Sequence, residues 1–290
     1  MVQLLINIIV SFGIILLIGY SFRCLYSNLR FFHLAHAVSL TLGGYLVYEF
    51  FISCGLPLVM ATTLAVFGAI LIMLSVFVLY RQGEKKQLAS WEMMVISLGI
   101  YVVIQNVISM IWGDTRLSIR TWEVSVGYEI LGGYITKTQI ISVLASVLLI
   151  AFVQLILSTT TIGKKAKAVA ANSEMSTILG ISSNSVMAFS LALGTALMAC
   201  AGILIAADVD MTPIMGFDWL LYGVVAMIIG GMGRMRYMVL GALLLATTQH
   251  LAAYFLDSKW MNATAYIILV VFLYFRPYGF SGRKLKKAEV

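Results

Sequence analysis

A chain of 290 residues that is 61% hydrophobic and only 11% charged, with a mean hydropathy of +1.00, cannot be a soluble globule, in which about a quarter of the residues carry charge. Its apolar runs are continuous and about 20 residues long, which fits membrane-crossing helices and excludes the short alternating strands of an outer-membrane barrel. The net charge of +7 follows from where the cations fall along the chain and implies no nucleic-acid partner.

Taken in order, the apolar runs at roughly 3–22, 33–52, 57–80, 91–113, 139–158, 185–207, 213–233, 238–256 and 263–276 read as spans. Only three prolines occur, so long helices can run uninterrupted. With the C-terminus inside, Arg23, Arg30, Arg81, Lys85, Lys86, Lys164, Lys165, Lys167, Arg234, Arg236, Arg276, Arg283, Lys284, Lys286 and Lys287 all face the cytoplasm. Of the 19 cations, only Arg116, Arg120, Lys137 and Lys259 are left outside. This bias is the positive-inside signature and predicts an all-α, polytopic membrane protein of about nine spans, N-terminus outside and C-terminus inside. The first run lacks a positive start and a small-residue cleavage site, so it reads as a span and not as a removable signal. Cys24, Cys54 and Cys200 are scattered, with no C-x-x-C, and point to neither metal nor redox chemistry.

Residues 1–282 read as one transmembrane domain and 283–290 as a basic cytoplasmic tail resting near anionic lipid. The longest gap, near 114–138, carries Asp114, Arg116, Arg120, Glu123 and Glu129, with Trp122 and Tyr128 suited to an interface. The outer loop 208–218 holds Asp208, Asp210 and Asp218 and no cation. In the span 185–207, Ala188, Ala192, Ala196 and Cys200 make a regular strip of small side chains; Ser190, Gly194, Met198 and Gly202 make a second, less regular one. Such strips admit close helix contact and place this span at the heart of a bundle. Leu42-Gly43-Gly44-Tyr45 and Leu131-Gly132-Gly133-Tyr134 are similar strings in topologically different places, and chance explains the likeness.

The polar segment 162–181 lies between two spans. Its Ala, Lys, Met and Glu content favours a short helix, punctuated by Gly163 and Gly180. It serves either as a handle for a soluble cytoplasmic partner or as a set of lysines that fixes topology. The segment resembles the coupling loop of permease subunits of branched-chain amino-acid type ABC importers, G-[RK]-x-x-R-A-x-x-x-N-x-E-x-A-x-x-x-G-I. Gly163, Lys164, Ala168, Asn172, Glu174, Gly180 and Ile181 match, while Lys167 stands for the Arg and Ser176 for the Ala. Phe32-His33-Leu34-Ala35-His36-Ala37 is similar to the family's N-F-A-H-G signature, with Ala37 in place of its Gly. Ser97-Leu98-Gly99-Ile100, Gln105-Asn106 and Ile111-Trp112-Gly113 resemble its fourth span, and Pro213, Met215-Gly216-Phe217 and Gly230-Gly231-Met232-Gly233 follow in order. Tyr222 stands where the family usually has Lys.

The resemblance implies a transport subunit, not an enzyme, in a prokaryotic plasma membrane. Its expected partners are two cytoplasmic ATP-binding subunits, a second related permease or a second copy, and an extracytoplasmic binding protein. Gly163, Lys164, Lys165, Lys167, Ala168, Asn172, Glu174, Gly180 and Ile181 would then couple to the ATPase. His36 would line the pathway; from charge alone, Asp208, Asp210 and Asp218 could meet basic residues of the binding protein. Gln105, Asn106, Gln249 and His250 are polar residues within spans, suited either to lining a pathway or to interhelical hydrogen bonds. His33 and His36 share a helix face, but no acidic or cysteine ligand accompanies them, so no metal or other cofactor is expected on this chain. No G-x-x-x-x-G-K-[ST], H-E-x-x-H or G-x-S-x-G occurs, so the chain itself neither hydrolyses ATP nor carries a recognisable catalytic set. A stand-alone carrier or channel is the alternative; a proton-coupled one would need an acid near mid-membrane, and Glu49 and Glu92 lie near span ends.

Overall fold

The computed structural model describes residues 1–121, 127–231, 235–276 and 279–281. Trp122, Glu123, Met232, Gly233, Arg234 and the tail 283–290 lie outside these residues. The chain is mostly helical: α1 (Val2–Leu29), α2 (His36–Tyr48) continuing into a π-helical turn (Glu49–Ser53), α3 (Leu58–Lys85), α4 (Ser90–Trp112), α5 (Lys137–Thr159), α6 (Thr161–Ala171), α7 (Ser173–Ile178), α8 (Ser183–Asp208), α9 (Met215–Gly230), α10 (Met235–Phe255) and α11 (Trp260–Phe275). Six of these, α1, α3, α4, α5, α8 and α10, are long and apolar enough to cross a membrane, and α9 and α11 are shorter apolar helices. Large apolar side chains such as Phe67, Leu71, Val103, Met110, Leu148, Phe152, Val270 and Tyr274 are exposed along these helices. On a soluble protein such faces would drive aggregation; in lipid they are the solvent-facing surface. The chain is a multi-pass membrane protein.

The helices begin and end where local chemistry dictates. Glu92 Oε2 accepts the backbone N–H of Ala89 at 2.6 Å, so this acid closes the start of α4 instead of sitting in mid-membrane. Thr160 caps α6 by accepting from Gly163 N at 3.1 Å, and Ser182 caps α8 through Ser185 N.

Among the described residues one hairpin departs from the all-helical reading. Tyr128–Ile130 (β1) and Gly133–Ile135 (β2) pair antiparallel, with Tyr128 opposite Ile135 and Ile130 opposite Gly133. Leu131 (φ 50°) and Gly132 (φ 81°) both adopt the left-handed conformation that a two-residue hairpin turn demands. The Gln3 side chain holds this hairpin: its Oε1 accepts from Tyr134 N at 2.8 Å and its Nε2 donates to Tyr134 O at 3.1 Å.

Two compact units are distinguished. One comprises 1–20, 120–147 and the described residues from 218 onward; the other comprises 21–119 and 148–217. In the first, Gly241 of α10 lies against the backbone of Ala226 and Gly230 on α9, and Gly231 (φ 77°) ends α9 by donating to Met227 O at 2.8 Å. Ser11 Oγ and His250 Nε2 are 2.7 Å apart, joining α1 to α10.

The second unit is built on α8, which packs on α2 and α3. A methyl group on Gly202 would overlap the Leu40 carbonyl oxygen, and one on Gly43 would overlap Ala199. Ser190, Gly194, Met198 and Gly202 are all buried, whereas Ala188, Ala192, Ala196 and Cys200 are half-buried. The close backbone approaches to α2 therefore fall at Ala199 and Gly202 and not on the regular strip, since contact this close needs a very small residue at the point of contact, as at Gly202 and Gly43. Cys200 instead borders an apolar groove with Phe67, Ile70 and Leu204.

Candidate coupling segment and pathway residues

The polar segment after α5 is two helices, not one. Asn172 has extended backbone angles (φ −154°, ψ 106°) that end α6, and its Oδ1 accepts Met175 N at 3.0 Å to start α7. The side-chain amide thus replaces the hydrogen bonds a continuous helix would have made. At the other end, Gly180 (φ 76°) donates to Thr177 O at 3.0 Å and Ile181 to Ser176 O at 2.9 Å. This is the Schellman arrangement, in which glycine supplies the left-handed residue and the next side chain packs back on the helix end. Gly180-Ile181 is explained by that geometry: Ile181 packs on a cluster of Ala166, Val169 and Val186.

Gly163 lies inside α6 and does not precede it. A Cβ there would sit 2.6 Å from the Leu157 Cα, so the missing side chain lets α6 fold back on the end of α5. Gly163, Ala166 and Val169 form the buried stripe of α6. Lys164, Lys165 and Lys167 are exposed, as are Asn172 and Glu174, while Ala168 is half-buried. α7 and the residue that ends it also expose apolar surface: Met175 is 55% exposed, Ile178 79% and Leu179 71%. The segment therefore presents three cations and three large apolar side chains outward, on a platform fixed to the start of α8 through Val186.

One further tie holds the platform, and a second joins the end of α1 to α8. Arg30 (φ 58°) donates from Nη2 to Ala170 O at 3.3 Å, and Asn28 Nδ2 donates to Ser190 Oγ at 2.9 Å. Residues 30–35 are not helical, so α2 begins at His36. Ser97 secures this connection from α4, accepting from Leu34 N at 3.0 Å.

His36 is wholly buried, with Nε2 2.6 Å from Ser21 Oγ. His33 is wholly buried beside it, its ring 4.9 Å from that of Tyr80 and 6.1 Å from that of His36. Among the described residues no three His, Cys, Asp or Glu side chains gather as a metal site. Gln105 is half-buried, and Asn106 is exposed and donates to Val102 O at 2.7 Å. Gln249 belongs to the other unit, is buried, and its amide lies 3.5 Å from Met261 O. Asp208 is half-buried, and Asp210 and Asp218 are exposed. Asp210 precedes Met211, which forms a β-bridge with Leu117. The residues expected to couple thus lie on one two-helix platform; His36, Gln105 and Asn106 belong to the unit built on α8, and Gln249 to the other. The sequence does not foretell the bonds made by Ser21, Ser97 and Arg30, nor the hydrogen bond from Trp112 Nε1 to Glu49 Oε2 at 2.9 Å; a lone acid inside the apolar run 33–52 is the available signal for the last.

Long apolar helices, six of them of membrane-crossing length, are interrupted by a polar two-helix segment with three exposed lysines, the organisation of a multi-pass membrane protein. The chain belongs to the branched-chain amino acid transport system / permease component family, whose model matches residues 4–275. It is 25% identical over 283 residues to the high-affinity branched-chain amino acid transport system permease protein BraD of Pseudomonas aeruginosa, covering 92% of this chain and 91% of that one. It is 23% identical over 193 residues to the corresponding LivH proteins of Salmonella typhimurium and Escherichia coli, covering 64% of this chain and 62% of those. The solved structure of PsaBC from Streptococcus pneumoniae in complex with Fab has a similar fold, with a TM-score of 0.53 at 11% identity over 98% of this chain and 95% of that one.

Proposed function

We propose that this chain is the membrane-spanning subunit of an ATP-driven importer that moves branched-chain or other small amino acids into a prokaryotic cell across the plasma membrane. The observation that carries the reading is the α6–α7 platform, exposed on one side and packed through Ala166, Val169 and Ile181 on the start of α8. The solute class follows the names of BraD and LivH. The permease domain spans 1–282 with nine crossings, N-terminus outside, and 283–290 is a basic cytoplasmic tail. Two cytoplasmic ATP-binding subunits, a second permease or second copy, and an extracytoplasmic binding protein complete the assembly. The chain itself needs no cofactor.

In this mechanism Met175, Ile178 and Leu179 enter a groove of the ATPase, and Lys164, Lys165 and Lys167 meet its acidic rim. Closure of the ATPase on nucleotide moves the platform. The movement passes through Val186 into α8 and, across the Gly202–Leu40 contact, into α2, where His36 and its neighbours change their access. Nucleotide and loaded binding protein bias the same inward–outward equilibrium from opposite faces. Asp208, Asp210 and Asp218 face the binding protein. Reversing charge at Lys164, Lys165 and Lys167 together should lower transport and its coupling to ATP hydrolysis while membrane insertion stays normal. Wild-type coupling in that triple variant would refute the platform's role.

A further inference from the structure

Glu49 is the one acid within the apolar run 33–52, and it opens the π-helical turn in which α2 ends. Single π turns in otherwise α-helical segments recur at functional sites, because they turn a side chain out of the regular helical register. Glu49 Oε2 accepts from the indole Nε1 of Trp112 at 2.9 Å and from Ser53 Oγ at 3.4 Å. Trp112 is the last residue of α4, half-buried, and Gly113 (φ 79°) turns the chain away immediately after it. One helical turn before Glu49 is Tyr45, wholly buried, with its ring 5.5 Å from the Trp112 ring. The Tyr45 hydroxyl has no hydrogen-bond partner among the described residues. Exposed Asp114 follows two residues after Trp112.

These groups share one unmet requirement. A half-buried carboxylate is stable when a cation or several donors attend it. No described Lys or Arg pairs with Glu49, and two donors already occupy Oε2. Its donor Trp112 lies beside the ring of Tyr45, one helical turn before Glu49, and the Tyr45 phenol oxygen is buried and unpartnered among the described residues.

We propose that Tyr45, Glu49 and Trp112 form a subsite for the ammonium group of the transported amino acid; that the ligand is an amino acid rests on the function proposed above. An ammonium has three donors and no acceptor. Glu49 Oε1 takes one, the Tyr45 hydroxyl oxygen takes another, and the Trp112 face supplies the attraction of its ring quadrupole. The Trp112–Glu49 hydrogen bond then positions the carboxylate and joins α2 to α4, so that solute entry reaches the helix that α8 drives.

The test uses the full chain, with the subunits that co-purify, in lipid nanodiscs without binding protein. Trp112 fluorescence is read against a Trp112→Phe blank during titration with leucine, 3-methylbutylamine and 4-methylpentanoate, which share one hydrocarbon skeleton. Leucine and the amine should give saturable changes and 4-methylpentanoate none. Glu49→Gln, which keeps an acceptor for the indole, should raise both midpoints about ten-fold or more. Tyr45→Phe, which removes a single hydroxyl, should raise them about three-fold and serves if Glu49→Gln does not fold. An equal response to 4-methylpentanoate, unchanged midpoints in both variants, or an amine response without a leucine response would overturn the proposal. ATP-driven leucine uptake by the assembled complex separates the two readings. Absence of uptake by the wild type sinks the importer function, whereas normal uptake with unaltered titrations in the variants sinks the subsite alone.

Discussion

Arg30 Nη2 lies 3.3 Å from the carbonyl oxygen of Ala170 and so bonds the connection between α1 and α2 to the last turn of α6. The guanidinium satisfies a carbonyl that α6 leaves open where Asn172 ends it, and a cation at a helix C-terminus also meets the favourable end of its dipole. The platform is thereby tied to the start of α2 as well as to α8. Arg30→Gln should lower the amount of solute moved per ATP hydrolysed several-fold, with a stability loss of about 1–2 kcal/mol. Uptake and phosphate release measured on the same proteoliposomes check it; an unchanged ratio would show that this tie carries no motion.

Gly202 should tolerate no side chain. Even Gly202→Ala would place a methyl group into the Leu40 carbonyl, forcing α2 and α8 apart at a cost of about 1–3 kcal/mol. Thermal unfolding in detergent should shift downward, and transport should fall with it, since this contact relays movement from α8 to α2. A variant with wild-type melting would mean that the two helices are further apart than described.

Asn172 and Gly180 shape the platform locally. Asn172→Ala removes the cap of α7, worth about 1 kcal/mol, and Gly180→Ala imposes a left-handed conformation on alanine at about 1–2 kcal/mol. Amide hydrogen exchange over Ser173–Ile178 should quicken in both variants while the melting temperature of the whole protein hardly moves. Unaltered exchange would show that α7 is held by something other than its own ends.

Much of this architecture is legible in the amino-acid sequence because membrane spans announce themselves by length and hydropathy. Helices are found within all of the apolar runs, and Glu92 and Gly231 act as helix punctuation. What was not legible depended on tertiary choice or on a single polar atom. Leu42-Gly43-Gly44-Tyr45 is helical within α2, whereas the nearly identical Leu131-Gly132-Gly133-Tyr134 forms a hairpin turn held by Gln3. Four residues do not decide between the two; the apolar run around the first and the polar surroundings of the second do. α8 approaches α2 at Ala199 and Gly202 and not along its regular strip, because close approach depends on the smallest residues on both helices and not on the most periodic ones. The break in the coupling segment came from one amide, Asn172, in a stretch whose composition otherwise favours a continuous helix. Glu49 looked like a residue at a span end, and only its bond to Trp112, 63 positions away, gives it chemical meaning.

The central claim is that α6 and α7 form the docking platform for a cytoplasmic ATPase. Its most direct test is to purify the chain from its native membrane in mild detergent and identify what accompanies it, with the Lys164→Glu, Lys165→Glu, Lys167→Glu triple variant alongside. The account predicts that the wild type brings down an ATPase with a phosphate-binding loop and a second permease-like chain, and that the variant retains the permease but loses the ATPase. A chain that emerges folded and alone, or a variant that keeps the ATPase at wild-type stoichiometry, would contradict it.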